Sequence, residues 1–130
     1  MTVQRPDIWR QETGPFDIIG DIHGCARELE KLLEKLGYHL QSRGPKGRRT
    51  TRITHEQNRK VVLVGDLVDR GPASMDVLRF GMQGEKDGTV RCVIGNHDDK
   101  FLRWLKGREV RITKSLQTTI DEADAEKPKF

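Results

Sequence analysis

Apolar positions along this chain follow two rhythms. Short apolar runs bounded by glycine, proline or charged residues predict strands at Phe16–Ile19, Lys60–Val64 and a segment opening at Val90. Between them lie stretches with helical spacing. Leu29, Leu32, Leu33 and Leu36 fall three, four and seven residues apart, predicting an amphipathic helix over 25–36 that Gly37 terminates. Pro72 suits the first turn of a second helix, running to about Phe80. Phe101, Leu102, Trp104 and Leu105 mark a third helix, stopping near Gly107, and Leu116 and Ile120 face inward from a fourth over 115–125. Thr51–His55 and Lys60–Val64 flank a polar Glu56-Gln57-Asn58-Arg59 connection and read as a hairpin, with His55 an ordinary strand residue. Gln41–Thr50 reads as a loop and Arg108–Thr113 as a short extended piece. Residues 1–13 form a polar tail, 14–130 a single domain unit, and 126–130 a polar end.

Strands alternating with helices imply an α/β fold, with parallel strands joined by right-handed helical crossovers. In such sheets binding groups gather beyond the strand C-terminal ends. Three strand ends here carry them. Gly20-Asp21-Ile22-His23-Gly24 follows the first strand, Gly65-Asp66-Leu67-Val68-Asp69-Arg70-Gly71 the second, and Gly95-Asn96-His97-Asp98 the third. Far apart in sequence, they converge if the strands share one sheet.

Composition narrows the setting. The 130 residues are 34% hydrophobic and 34% charged, and Lys and Arg exceed Asp and Glu by 24 to 20. Mean hydropathy is −0.72 and the sequence pI about 9.3. No apolar run reaches membrane-spanning length, and Met1–Asp7 lacks a secretory core, so a cytoplasmic location is expected. Cys25 and Cys92 are then expected to be reduced, inert thiols. The excess positive charge suits a phosphate-bearing substrate. The basic Arg43–Arg52 segment has no interleaved aromatic residue, which favours a solvated loop over a nucleic-acid contact.

The residue types at the strand ends point to metal-assisted phosphoryl chemistry. A divalent cation that activates water takes anionic oxygens and neutral imidazoles. Asp21 and His23 are placed to share one ion, Asp66 to bridge two, and Asn96 to offer a neutral oxygen to the second. Between cations, water loses its proton readily (its pKa falls from about 15.7 to about 7 on zinc), giving a hydroxide able to attack phosphorus. Arg70 supplies a planar guanidinium for two phosphate oxygens. His97 is placed to contact phosphate and protonate the leaving oxygen, with Asp98 to hold its imidazole in the useful tautomer. Asp69 is expected to orient its neighbours rather than bind metal, and His39 to lie on the surface.

These motifs resemble the calcineurin-like metallophosphoesterases, in the branch of symmetrical diadenosine tetraphosphatases and Ser/Thr protein phosphatases. The Gly14–Cys25 segment, Leu36-Gly37-Tyr38 and Gly107-Arg108-Glu109-Val110 are most similar to the phosphatase module of bacterial polynucleotide kinase-phosphatase, an RNA-repair enzyme. The resemblance implies an αββα sandwich of which this chain carries the N-terminal half. It also implies divalent ions, manganese by preference, two in a complete site and one expected here. It gives metal to Asp21, His23, Asp66 and Asn96, and phosphate to Arg70 and His97, with Asp98 in support. The implied substrate is a polynucleotide or nucleotide phosphate, including RNA or DNA ends; the alternatives are a dinucleoside polyphosphatase, a protein phosphatase or a non-catalytic remnant that binds metal or phosphate. Family members carry later histidine ligands, whereas this chain has no histidine after His97 and reads Thr113-Lys114-Ser115-Leu116 where the polynucleotide group tends to read Thr-His-Gly-Leu. A partner chain or further segment supplying those ligands is the matching expectation.

Overall fold

The computed structural model, which describes residues 14–45 and 48–126, centres a three-stranded parallel sheet on the most continuously apolar segment. The elements are β1 (Phe16–Gly20), α1 (Ala26–Lys35), β2 (His39–Arg43), β3 (Thr50–Thr54), β4 (Lys60–Val64), α2 (Ser74–Asp87), β5 (Val90–Val93), α3 (Asn96–Leu105) and α4 (Lys114–Ala125). The main sheet runs β1-β4-β5 and is parallel throughout. One face, carrying Ile19, Val61, Leu63 and Val90, packs on Leu29 and Leu33 of α1 and Val77 and Phe80 of α2. On the other face Ile18, Val64 and Val93 are exposed. The fold is α/β with helical crossovers, as the alternation of elements implies. The expected polar tail and polar end lie largely outside the described residues.

The expected hairpin does not form. β3 pairs antiparallel with β2, matching His39 to Thr54 and Arg43 to Thr50, while β4 joins the main sheet. The physical reason lies in the side chains. β4 is apolar at consecutive positions and suits a central parallel strand. β3 buries only Thr51 and Ile53 and suits an edge ribbon packed on α2. The expected Gln41–Thr50 loop therefore shrinks, because Gln41–Arg43 belongs to β2. His55 lies just past β3. Its Nδ1 accepts the Gln57 N–H at 3.0 Å, so its Nε2 carries the proton donated to the Leu36 carbonyl, also at 3.0 Å. His39 is exposed, as expected.

Helix α2 runs about two turns past Phe80, to Asp87. Gly81 and Gly84 look like weak points in sequence, yet they bring the helix close to the sheet. A Cβ on Gly81 would lie 2.8 Å from Cys92 Sγ, and one on Gly84 would collide with Val90. Burial pushes the Cys92 thiol up to about 12, with Glu85 nearby adding to the effect. Both cysteines are free.

At the N-terminal end of the sheet, the Asp17 carboxylate accepts Arg59 Nε (3.0 Å) and Nη2 (2.8 Å) and the Tyr38 hydroxyl (2.6 Å). Arg59 holds Asp17 below the usual carboxylate range. Burial, with Asp17 beside it, raises the Tyr38 phenol.

Candidate active site

Each parallel strand ends in a sharp turn, and the three turns touch. The loop after β1 is stitched to the loop after β4 by backbone bonds: the His23 N–H donates to the Asp66 carbonyl at 2.9 Å and the Gly24 N–H to the Leu67 carbonyl at 2.8 Å. The loop after β5 closes on the same place, with the His97 N–H donating to Asp66 Oδ1 at 3.2 Å. Glycine makes this approach possible. A Cβ on Gly95 would lie 2.6 Å from Asp66 Oδ1, and one on Gly71 would run into the His23 carbonyl and lie 2.6 Å from the Gly24 carbonyl carbon.

The backbone here is held in a strained region. Among the described residues, six non-glycine residues have positive φ, and all but Asn58 belong to these loops: Asp21 (51°), His23 (44°), Asp66 (49°), Asp69 (73°) and Arg70 (77°). Such conformations cost on the order of 1–3 kcal/mol each and cluster where function requires a particular side-chain direction.

Asp21, His23 and Asp66 each present a ligand atom, all within 4.8 Å of one another. His23 is oriented for this, because its Nδ1 donates to the Val68 carbonyl at 3.0 Å and leaves Nε2 as the free acceptor. Among the described residues, neither Asp21 nor Asp66 has an ion pair with a basic side chain. Two carboxylates and an imidazole nitrogen, closely grouped without a counter-charge, are a donor set that suits a divalent cation. Asn96 opens α3 on the adjoining loop, exposed beside His97.

The ring of His97 stands edge-on to His23, with centroids 4.9 Å apart. Its Nδ1 meets Asp69 Oδ2 at 2.8 Å, not Asp98. The expected role of Asp98 is therefore corrected. From the first turn of α3 its carboxylate turns back and accepts the N–H groups of Leu67 (2.8 Å), Val68 (3.2 Å) and Gly95 (3.1 Å). It holds the second loop against the third, and Asp69, almost fully buried, orients the imidazole. Arg70 is exposed, its N–H donating to Thr118 Oγ1 at 3.2 Å.

Sequence reasoning missed the contribution of α4. Thr119 binds Asp69 through both of its polar groups. Glu122 caps α2, accepting the Ser74 N–H at 2.9 Å and the Met75 N–H at 3.4 Å. Burial raises the Glu122 carboxyl above its usual value, against those bonds. No local motif marks these residues, because their partners lie more than forty positions upstream.

Comparisons with known proteins agree with this geometry. A sequence model of the calcineurin-like phosphoesterases matches residues 14–124. The chain is 43% identical over 109 residues to the asymmetrical bis(5'-nucleosyl)-tetraphosphatase PrpE of Bacillus subtilis, covering 84% of this chain and 41% of that protein. It is 43% identical over 110 residues to the protein of the same name from Halalkalibacterium halodurans, covering 85% and 42%. A crystal structure of a proposed diadenosine tetraphosphatase superposes with a TM-score of 0.52 at 30% identity, covering 90% of this chain and 39% of that one. The chain thus spans about two fifths of the length of the curated relatives it matches. Family match, fold and clustered donor set lead to one conclusion: the chain belongs to the calcineurin-like phosphoesterases, a family of divalent-metal-dependent hydrolases.

Proposed function

We propose that this chain carries the metal- and phosphate-binding loops of a phosphoesterase acting on dinucleoside polyphosphates. The convergence of Asp21, His23 and Asp66 within 4.8 Å at the C-terminal ends of parallel strands carries this reading. The names of the relatives favour dinucleoside tetraphosphates over the polynucleotide ends that the sequence motifs suggested. Asp21, His23 and Asp66 would hold one cation, with Mn2+ the ion of choice, and Asn96 would serve a second only in a site completed by further ligands. When bound, the metal supplies positive charge for the phosphate and an acidified water.

The chain's own side chains do the rest. Arg70, exposed on the loop that carries Asp66, clamps phosphate oxygens and offsets developing negative charge. Asp69 fixes the Nδ1–H tautomer of His97, which aims Nε2 at the substrate. From Nε2, His97 contacts phosphate and, when protonated, donates to the leaving oxygen. Asp98 keeps the loops in register.

The test is a Mn2+-supplemented assay comparing diadenosine tetraphosphate, a phosphorylated oligonucleotide and an aryl phosphate. Faster cleavage of the tetraphosphate, lost in Asp66→Ala, is expected. Preference for the oligonucleotide overturns the substrate assignment, and turnover unaffected by Asp66→Ala overturns the site.

A further inference from the structure

We propose that Thr119 of α4 is a positioning residue for His97, acting through Asp69. What His97 does for substrate rests on the function proposed above; how its ring is held does not.

The loop that carries Asp69 and Arg70 has two consecutive left-handed residues, with φ of 73° and 77°. Neighbouring side chains must hold such a segment in place. Helix α4 supplies two of the three hydroxyls that do so. The Asp69 N–H donates to Thr119 Oγ1 at 2.9 Å and to Ser74 Oγ at 3.2 Å. The Arg70 N–H donates to Thr118 Oγ1, whose own hydroxyl donates to the Ser115 carbonyl at 2.7 Å. That second bond turns the Thr118 lone pairs toward Arg70.

Thr119 goes further than its neighbour. Its hydroxyl donates to Asp69 Oδ1 at 2.5 Å while accepting the N–H of the same residue. One hydroxyl therefore fixes both the backbone and the carboxylate of Asp69, leaving Oδ2 for His97 Nδ1 at 2.8 Å. Thr119 is fully buried and Asp69 is 1% exposed, so water cannot take over the lost bond. With the hydroxyl removed, Oδ1 is left buried and charged without its donor, a costly state. The nearest hydroxyl that remains is Ser74 Oγ, 3.4 Å from where Thr119 Oγ1 stood. Turning toward it draws Oδ2 away from the imidazole and frees His97 to exchange tautomers.

The experiment is long-range 1H–15N spectroscopy of the full chain with labelled histidine, at a pH where the rings are neutral. In the wild type, His97 shows the Nδ1–H tautomer. Thr119→Val replaces the hydroxyl by a methyl and is expected to convert His97 to a mixture. Thr119→Ser retains the hydroxyl and is expected to retain the tautomer. Thr119→Ala removes the same hydroxyl without adding volume, and reads the effect if the valine variant does not fold. His55, held by Leu36 and Gln57 at the opposite end of the sheet, is the internal reference and is expected not to change.

A wild-type His97 spectrum in the valine or alanine variant overturns the proposal. So does loss of the tautomer in Thr119→Ser, or a change at His55 equal to that at His97. In the Mn2+-supplemented assay, the valine and alanine variants should lower kcat roughly 10–100-fold, the range for residues supporting a site from behind, with KM little changed, while Thr119→Ser should keep the wild-type kcat. Absence of turnover in the wild type counts against the proposed function alone, because the tautomer is read without substrate.

Discussion

The two ends of the parallel sheet treat a carboxylate in opposite ways. At the N-terminal end, Asp17 is neutralised by Arg59 and bonded by Tyr38. At the C-terminal end, Asp21 and Asp66 crowd together with His23, on backbone forced to positive φ, and no basic side chain pairs with them among the described residues. One end spends its charges on holding the chain together. The other keeps its charges uncompensated, which destabilises the fold alone and suits a cation from solution.

The largest expected effect concerns how tightly the site loops interlock. Gly71→Ala drives a Cβ into the backbone of the first loop and should cost about 3 kcal/mol or more, read by denaturant unfolding. Gly88→Ala is the contrast. Nothing lies within 4 Å of that position, and only its φ of 79° resists the substitution, so the expected loss is about 1 kcal/mol. Equal losses would contradict the interlocking.

Next in size is stabilisation by metal. A divalent ion at a hundredfold excess over its Kd should raise unfolding stability by about 2.7 kcal/mol, reversibly with chelator. Asp66→Ala should abolish that gain, and because it removes both a crowded carboxylate and the acceptor of the His97 N–H, it should lower the metal-free stability by no more than about 1 kcal/mol. A metal-free loss well beyond that of one hydrogen bond would place Asp66 with the structural charges instead.

Asp17→Asn tests the other end. It should lower stability by about 1.5 kcal/mol at neutral pH, the low end for hydrogen bonds to a charged group, and leave metal stabilisation intact. Because the folded protein lowers the Asp17 pKa, the contribution is present above the ordinary carboxylate value. It is lost as pH falls through the depressed one, so the gap between wild type and variant should close in acid. The smallest effect should come from Glu122, whose carboxyl is raised by burial. Its contribution is greatest at low pH and declines as pH rises through the raised value, so Glu122→Gln should gain relative to wild type toward neutrality. Chemical denaturation at several pH values measures both.

Much of this was legible in the sequence, for identifiable reasons. Glycine-bounded apolar runs located β1, β4 and β5, and the leucine spacing located α1, because both signals are local. The partner of β3 was not local. Sequence proximity favoured Lys60–Val64, whereas the apolar run of β4, with Val61 and Leu63 fully buried, took it into the centre of the main sheet and left His39–Arg43, a polar stretch read partly as loop, to pair with β3. The grouping of Asp21, His23 and Asp66 could be anticipated from residue type at a strand end. The partner of His97 could not. Asp98 stands next to it in sequence, but on a helix its first-turn position points the carboxylate at backbone N–H groups, and Asp69 arrives from another loop. Thr119 and Glu122 gave no signal at all, since a buried hydroxyl and a cap supplied by a distant helix look like ordinary helix residues.

The central claim is that the uncompensated end of the sheet is a cation site. Calorimetric titration of the full chain with Mn2+, beside Asp66→Ala, tests it most directly. Saturable binding of one ion per chain is predicted, weakened about a hundredfold or more in the variant, beyond the roughly 10–100-fold typical of outer-shell changes. No saturable binding, or binding unchanged by Asp66→Ala, would contradict it.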